Sequence, residues 1–493
     1  MDTRSKRALY IFAALSWAIL SPALVRAAVS DIDTNYNVKD ALRADPRVNG
    51  AEITATTVSG TVTLSGSVEN LAAKTAAVAE AKKINGVLAV IDKLNVTPSL
   101  RWDTDISNAV RRRILNSAVI KSQGLIVACK DGVVTLSGSV SSYPEQQEAG
   151  LLASEVRGVT KVTNNIFTKW SSTRSDLEIK NDAVAALAHD VYLTGLPITV
   201  AVQNGVVSLS GSVGNAYEED RASDAVRWIA NVADVKNDLA VAWYDNHGVK
   251  SENAMTSDEA VKEAVRKTLD QDSRLVANEI AIRTSFGDVT LDGSVYGHYE
   301  KRIAEQDASN VVGVAWVRNN LSVRVDQRED WAIGDDVRFN LNTDAVTNGF
   351  RLGASVNNGI VTLTGNVHSW YQWSHAYDVA SRVRGVKVVI DNIAVSEANN
   401  TNGTNWKNDA DLVKSIKSRL RTDWGTWWAL NKINVTVRNG VATLEGNVNT
   451  WTVRQEAGDL ALHTIGISEV DNRLTVEGVN YLWDEHHFKT ASY

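Results

Sequence analysis

Residues able to do chemistry are few in this 493-residue chain, and their spacing does not suit catalysis. The eight histidines, at 189, 247, 298, 368, 375, 463, 486 and 487, form no His-Glu-x-x-His or comparable metal-binding set. Only the adjacent His486 and His487 hint at a metal, and they read as a tail without partners. No serine occupies a Gly-x-Ser-x-Gly elbow, and no glycine-rich loop opens a helix as phosphate cradles do. The single cysteine, Cys129, has no second thiol for an intramolecular disulfide, and the strand-like run 125–129 reads as burying an inert thiol. Arg111, Arg112 and Arg113 could offer guanidinium forks to phosphate oxygens. The plainer reading is a solvated helix face, with Arg113 turned partly toward a sheet and the other two outward. The chain therefore reads as no enzyme, with no catalytic, cofactor or metal residues and no evident small-molecule substrate.

What it has instead is aromatic side chains, including 15 tryptophans. One set recurs at the start of a helix: Tyr143, Tyr217, Tyr299, Trp370 with Tyr371, and Trp451, with Leu71 in the first instance. A ring there can sit at a lipid interface, or it can staple the helix start onto a sheet, the commoner use in a thin core. A second set, Trp102, Trp170, Trp243, Trp331 and Trp406, falls at junctions. It reads as glue between neighbouring units, or else as a stacking platform for carbohydrate. The densest cluster is Trp424, Trp427 and Trp428, followed by Trp370, Tyr371 and Trp373. The first set, Trp373 and the dense cluster are the candidate contacts for a membrane or a partner.

These side chains hang on one repeated unit. The phrase that opens at Gly60 and closes at Val68 returns at 132–140, 205–213, 287–295, 359–367 and 440–448. Its second glycine, at 66, 138, 211, 293, 365 and 446, steps by 72, 73, 82, 72 and 81 residues, with linkers at 245–256 and 397–405. Asn204-Gly205, Asn358-Gly359, Asn439-Gly440 and Asp131-Gly132 supply the positive φ of type I′ turns, so the phrase is half of a hairpin. Past the turn, Val134, Leu136, Gly138 and Val140 share the apolar face. That makes Gly66, Gly138, Gly211, Gly293, Gly365 and Gly446 structural glycines, placed where a helix can cross the sheet closely.

An amphipathic helix precedes each hairpin, as with Ile106, Ala109, Val110 and Ile114; in the first copy Pro46 interrupts it. A second helix of about 18 residues, ending at a Gly-Val such as Gly158-Val159, leads to a third strand. The predicted fold is α+β: a tandem array of six two-layer modules, each helix-strand-strand-helix-strand, with a three-stranded mixed sheet covered on one face by two helices. The boundaries read as 33–97, 103–168, 175–242, 256–325, 331–396 and 406–477, with a tail at 478–493.

This element order, the glycine phrase, the Gly-Val after the second helix and third strands such as Val235–Leu239 and Val317–Leu321 resemble the BON domain, from about Asp33 to Val476. The resemblance implies a periplasmic or envelope protein associated with osmotic or envelope stress. It further implies that the modules bind phospholipid membrane or envelope partners, here multivalently.

Residues 1–27 read as a cleaved secretory signal, with Arg4, Lys6 and Arg7 ahead of an apolar run ending at Val25-Arg26-Ala27. The rival is an uncleaved anchor. No cysteine lies near the site, so the expectation is a periplasmic protein that is not a lipoprotein. The net charge of −7 becomes −10 once the four basic and one acidic residues of that segment are removed, which argues against nucleic acid. The alternatives in function are a soluble chaperone-like osmoprotectant that binds unfolded clients, and a structural spacer.

Overall fold

The computed structural model describes residues 29–48, 51–99, 101–169, 174–242, 257–275, 279–324, 328–395 and 408–476. The segment at 1–27, the tail at 478–493, both linkers, Trp170, Trp243, Trp406, His247, His486 and His487 lie outside them.

Six modules follow one plan. In the second, a leading helix at Asp103–Asn116 is followed by strands Ile126–Lys130 and Val133–Val140, a second helix Tyr143–Ser154 and a third strand Lys161–Thr168. The hairpin strands pair antiparallel and the third strand joins the middle one in parallel, so Leu136 faces Val127 on one side and Asn164 on the other. All six sheets keep the chain order of their three strands. Alternation along the middle strand sends Val134, Leu136 and Val140 inward, where they are buried with Ile106, Val110 and Leu152 beneath both helices. Each module has a core of this kind.

Every hairpin turn has both central residues in the left-handed region, for example Asn204 and Gly205 at φ 52° and 75°. Ser59 and Phe286 also adopt it, at φ 50° and 53°, although neither type favours it. The neighbour of the phrase's second glycine is the backbone at the start of its own hairpin and not a crossing helix. The φ of this glycine runs from 119° at Gly66 to 140° at Gly446, and a Cβ at either of these two would collide with a backbone carbonyl at the start of the hairpin, that of Glu52 or Lys432, whereas at Gly138 the nearest atom would lie 3.2 Å away.

Two expectations about helices change. The first module's leading helix keeps 14 residues, Asp31–Ala44, and ends before Pro46, so the proline does not interrupt it. The second helices are shorter than their periodicity suggests, 12 residues at Tyr143–Ser154, because the chain beyond them leaves the helix to pair with another module. Val156 bridges Asp344 and Ser117 bridges Val383, joining modules 2 and 5 twice. Asp190 with Val311, and Ile229 with Asp272, join modules 3 and 4 in the same way. Ile84 with Asp423 joins modules 1 and 6, and there the Ile465 N–H donates to the Ala44 carbonyl as the counterpart. The pairing is nested: 3 with 4, 2 with 5, 1 with 6.

Candidate functional site

One acidic residue recurs outside the glycine phrase. The first residue of each leading helix is an aspartate: Asp31, Asp103, Asp176, Asp258, Asp330 and Asp409. Its two carboxylate oxygens accept the two successive N–H groups of the hairpin turn, Ser59 and Gly60 at 2.7 and 2.9 Å for Asp31, and Asn358 and Gly359 at 2.7 and 2.9 Å for Asp330. The other four do the same. A carboxylate in the first helical turn also suits the helix dipole. This clamp ties the helix start to the tip of the hairpin and makes a rigid corner. In module 2 the Cys129 thiol donates to Asp103 at 3.3 Å, and burial together with that carboxylate pushes the thiol up to about 12, an unreactive state at neutral pH.

Beside the clamp, five modules expose a large apolar side chain. Trp102, directly before Asp103, is 79% exposed, and Trp331, directly after Asp330, is 74% exposed. Ile32 follows Asp31, Leu177 follows Asp176, and Phe286 is itself a turn residue held by Asp258; all three are exposed. The sixth module has Ala410 in this place. At the module 2 corner, exposed Lys130 closes the strand before the turn, exposed Asp131 stands in the turn, exposed Lys161 pairs with the residue after it, and Arg101 precedes Trp102. The reading of the junction tryptophans as glue is thus corrected for Trp102 and Trp331, which face solvent.

The aromatic residues expected to meet a membrane or partner lie between modules. Leu71 rests on the core of module 2, Tyr143 on Trp228 of module 3 at 6.2 Å between centroids, and Tyr217 under Lys83 of module 1 at 5.7 Å. In the other half, Tyr299 lies under Arg382 of module 5 at 5.9 Å. Trp370 rests on the core of module 6, and Tyr371 is 6.3 Å from His463 of that module. Trp451 meets Trp316 of module 4 at 4.3 Å. The start of each second helix therefore docks on the next module, closing two triads, 1-2-3 and 4-5-6, which the nested pairs join. Trp373 stacks on Trp370 at 4.0 Å, and Trp424 packs against Tyr192 and Tyr217 of module 3 at 5.5 and 5.9 Å. Trp427 and Trp428 are half-buried, and no member of the set is exposed.

Comparison with known proteins bears on the repeated unit. The BON domain family matches residues 30–98, 103–168, 175–242, 257–325, 330–397 and 408–478. The chain belongs to the BON domain family. This BON protein is 34% identical to osmotically-inducible protein Y of Escherichia coli over 156 residues, 30% of its own length and 78% of that protein's. It is 26% identical to outer membrane lipoprotein DolP of Haemophilus influenzae over 147 residues, 29% and 76% of the two lengths. Among solved structures, the C-terminal domain of CdsD, a structural protein of the type III secretion system of Chlamydia trachomatis, aligns over 46% of this chain and 98% of its own. The identity is 16% and the TM-score 0.12, too low to relate the two arrangements. No helix among the described residues is long and apolar enough to cross a membrane.

The interfaces between paired BON modules absorb the arginine run. Arg113 is fully buried and donates to the Asn340 carbonyl at 2.7 Å and to Asp344 at 3.1 Å. Arg112 pairs with Asp335 and Asp336 of module 5 and lies 4.0 Å over the Phe339 ring. Its expected outward orientation is corrected, and only Arg111 faces solvent. His375 lies 3.0 Å from Asp344; burial opposes its charge, but the neighbouring carboxylate outweighs this and raises it to about 9. His298, hydrogen-bonded to Tyr377 at 3.2 Å, is lowered by burial to about 4 and stays neutral. Among the described residues no group of His, Cys, Asp or Glu is placed to hold a metal.

Proposed function

We propose that this BON protein is a non-enzymatic, stress-associated component of the bacterial envelope that seats on phospholipid membrane through its clamp corners. The observation that carries this reading is the exposed large apolar residue at the same corner of five modules. Separate prongs on rigid corners suit a deformable bilayer, where a tryptophan takes the interfacial position, better than they suit a groove on a folded partner. Lys130, Lys161 and Arg101 at the module 2 corner favour anionic headgroups, each worth about 1 kcal/mol near such a surface. Individually weak corners add up when one scaffold holds them together, and the two closed triads supply that scaffold. The names of the two relatives, one osmotically inducible and one an outer membrane lipoprotein, fit the same setting.

The test is co-sedimentation of the chain with vesicles of phosphatidylethanolamine and phosphatidylglycerol. Binding should be clear, weaker in high salt, and at least about tenfold weaker for the W102A/W331A double variant, a loss of about 1.4 kcal/mol. Failure of the unaltered chain to bind, or undiminished binding by the double variant, refutes the reading.

A further inference from the structure

The pairing of modules decides which way the corners point. In module 2, Gly158 lies at the corner: a Cβ on the turn glycine Gly132 would stand 2.9 Å from its carbonyl oxygen, and a Cβ on Gly158 itself 2.9 Å from Ile106, in the first turn of the leading helix. Gly385 stands in the same relation to Gly359 and Ile333 in module 5. The residue before each of these glycines holds the partner module. The Arg157 N–H donates to the Thr343 carbonyl at 2.9 Å, and the Arg384 N–H to the Asn116 carbonyl at 2.8 Å. Thr343 and Asn116 are the last residues of the two leading helices. Each corner therefore grips the far end of the helix whose start makes the other corner, and the two helices run in opposite directions. Fourteen residues make each helix about 21 Å long. Trp102 and Trp331, both exposed, thus stand at opposite ends of the pair.

The other pairs repeat this bond at the same places. The Ala230 and Val312 N–H groups reach the Gln271 and His189 carbonyls at 3.3 and 3.0 Å, and those of Asn85 and Ile465 reach Thr422 and Ala44 at 2.8 and 3.2 Å. All four acceptors end a leading helix. Leu177 and Phe286 are therefore also at opposite ends of their pair, while Ile32 has the small Ala410 opposite. Because the triads close, the three pairs stand around the molecule. A planar bilayer seated on some corners leaves others turned away from it, with their apolar side chains in water.

We propose that the chain cross-links bilayers, with corners at opposite ends of the module pairs seated on separate phospholipid surfaces. This rests on the membrane reading above and adds a second surface to it. Both ends of the pair formed by modules 2 and 5 carry lipid-directed chemistry. At the module 2 corner, Arg101, Lys130 and Lys161 outnumber Asp131 and the clamp's Asp103, which suits anionic headgroups. At the module 5 corner, Ile360 follows the turn and pairs with Val388, and both are exposed, which adds apolar area for the bilayer to cover.

Clustering of phosphatidylethanolamine and phosphatidylglycerol vesicles by the full chain tests it, followed by light scattering and by capture of dye-labelled vesicles on immobilised ones. Clusters should form at a low ratio of protein to lipid and disperse at a high ratio, when every vesicle is already coated. A one-corner variant, with Ile32→Ser, Leu177→Ser, Phe286→Asn and Trp331→Ala, keeps only Trp102. Compared at equal amounts of bound protein, it should cluster vesicles at least tenfold less, and restoring Trp331 should recover clustering. If the quadruple variant fails to fold, the rise and fall of clustering with the native chain is the test. A native chain that binds vesicles without clustering them overturns the proposal and leaves the seating intact. A one-corner variant that clusters as well as the native chain at equal bound protein overturns it too. Absence of binding by the native chain removes the seating and the cross-linking together.

Discussion

Replacing Trp451 by alanine is the sharpest test of the closed triads. The indole is 5% exposed, lies against Trp316 of module 4 at 4.3 Å, and has the Arg454 guanidinium 4.6 Å above it, a group that also sits 5.0 Å from the Trp316 ring. Truncating a buried tryptophan costs about 3–5 kcal/mol. Of that, the edge-on ring pair accounts for about 0.5–1.5 kcal/mol and the cation over the rings for about 1 kcal/mol. Exposed Trp102 is the internal control, since Trp102→Ala removes almost no buried contact and should stay within about 0.5 kcal/mol. Six modules need not unfold together, so denaturant titration should be read by fluorescence alongside limited proteolysis. The transition that reports modules 4 to 6 should shift to lower denaturant while the other half moves less. A Trp451→Ala loss below about 1 kcal/mol, or one no larger than that of Trp102→Ala, would show that module 6 does not close on module 4.

Two further expectations follow from single residues. Gly446→Ala should lower the melting temperature sharply, because its Cβ would meet the Lys432 carbonyl at a φ of 140°, while Gly349→Ala, with open space around it, should be nearly neutral. The His375 ion pair should set an alkaline limit. Its folded value of about 9 exceeds the ordinary 6.5, so the stability it confers is complete below about pH 6.5 and is lost as pH rises through about 9. A melting temperature that falls across this window in the native chain, and less so in His375→Gln, is the expected record.

The fold of one module is written in its local pattern. Val134, Leu136 and Val140 alternate, Asn-Gly and Asp-Gly mark the turns, and the middle strand has apolar neighbours in each copy. The aspartate clamp was equally legible: Asp31, Asp103, Asp176, Asp258 and Asp330 each stand 28 residues before the first turn residue, and Asp409 stands 30 before Asn439. Its role is masked in the sequence because an acid at a helix start already has a reason to be there. The module pairing was not legible, because nothing local in Val156 or Ser117 says which of five similar modules it will meet. The same ambiguity hid the destinations of Tyr143 and Trp451, whose surroundings satisfy a membrane interface and a neighbouring core equally well. Trp102 and Trp331 fall at junctions in the sequence, yet the corner they occupy points away from the interfaces.

The nested pairing also sets an order of assembly. Modules 3 and 4 are adjacent in the chain, whereas the Asn85 N–H of module 1 reaches the Thr422 carbonyl of module 6, a span of 337 residues (422 − 85). Closing a longer loop adds little to the equilibrium cost, but contacts distant in sequence form slowly. The molecule should therefore zip from its middle outward: the central pair forms first and draws modules 2 and 5 together, then 1 and 6. During synthesis module 1 must wait, with the edge meant for its partner uncovered, until module 6 emerges.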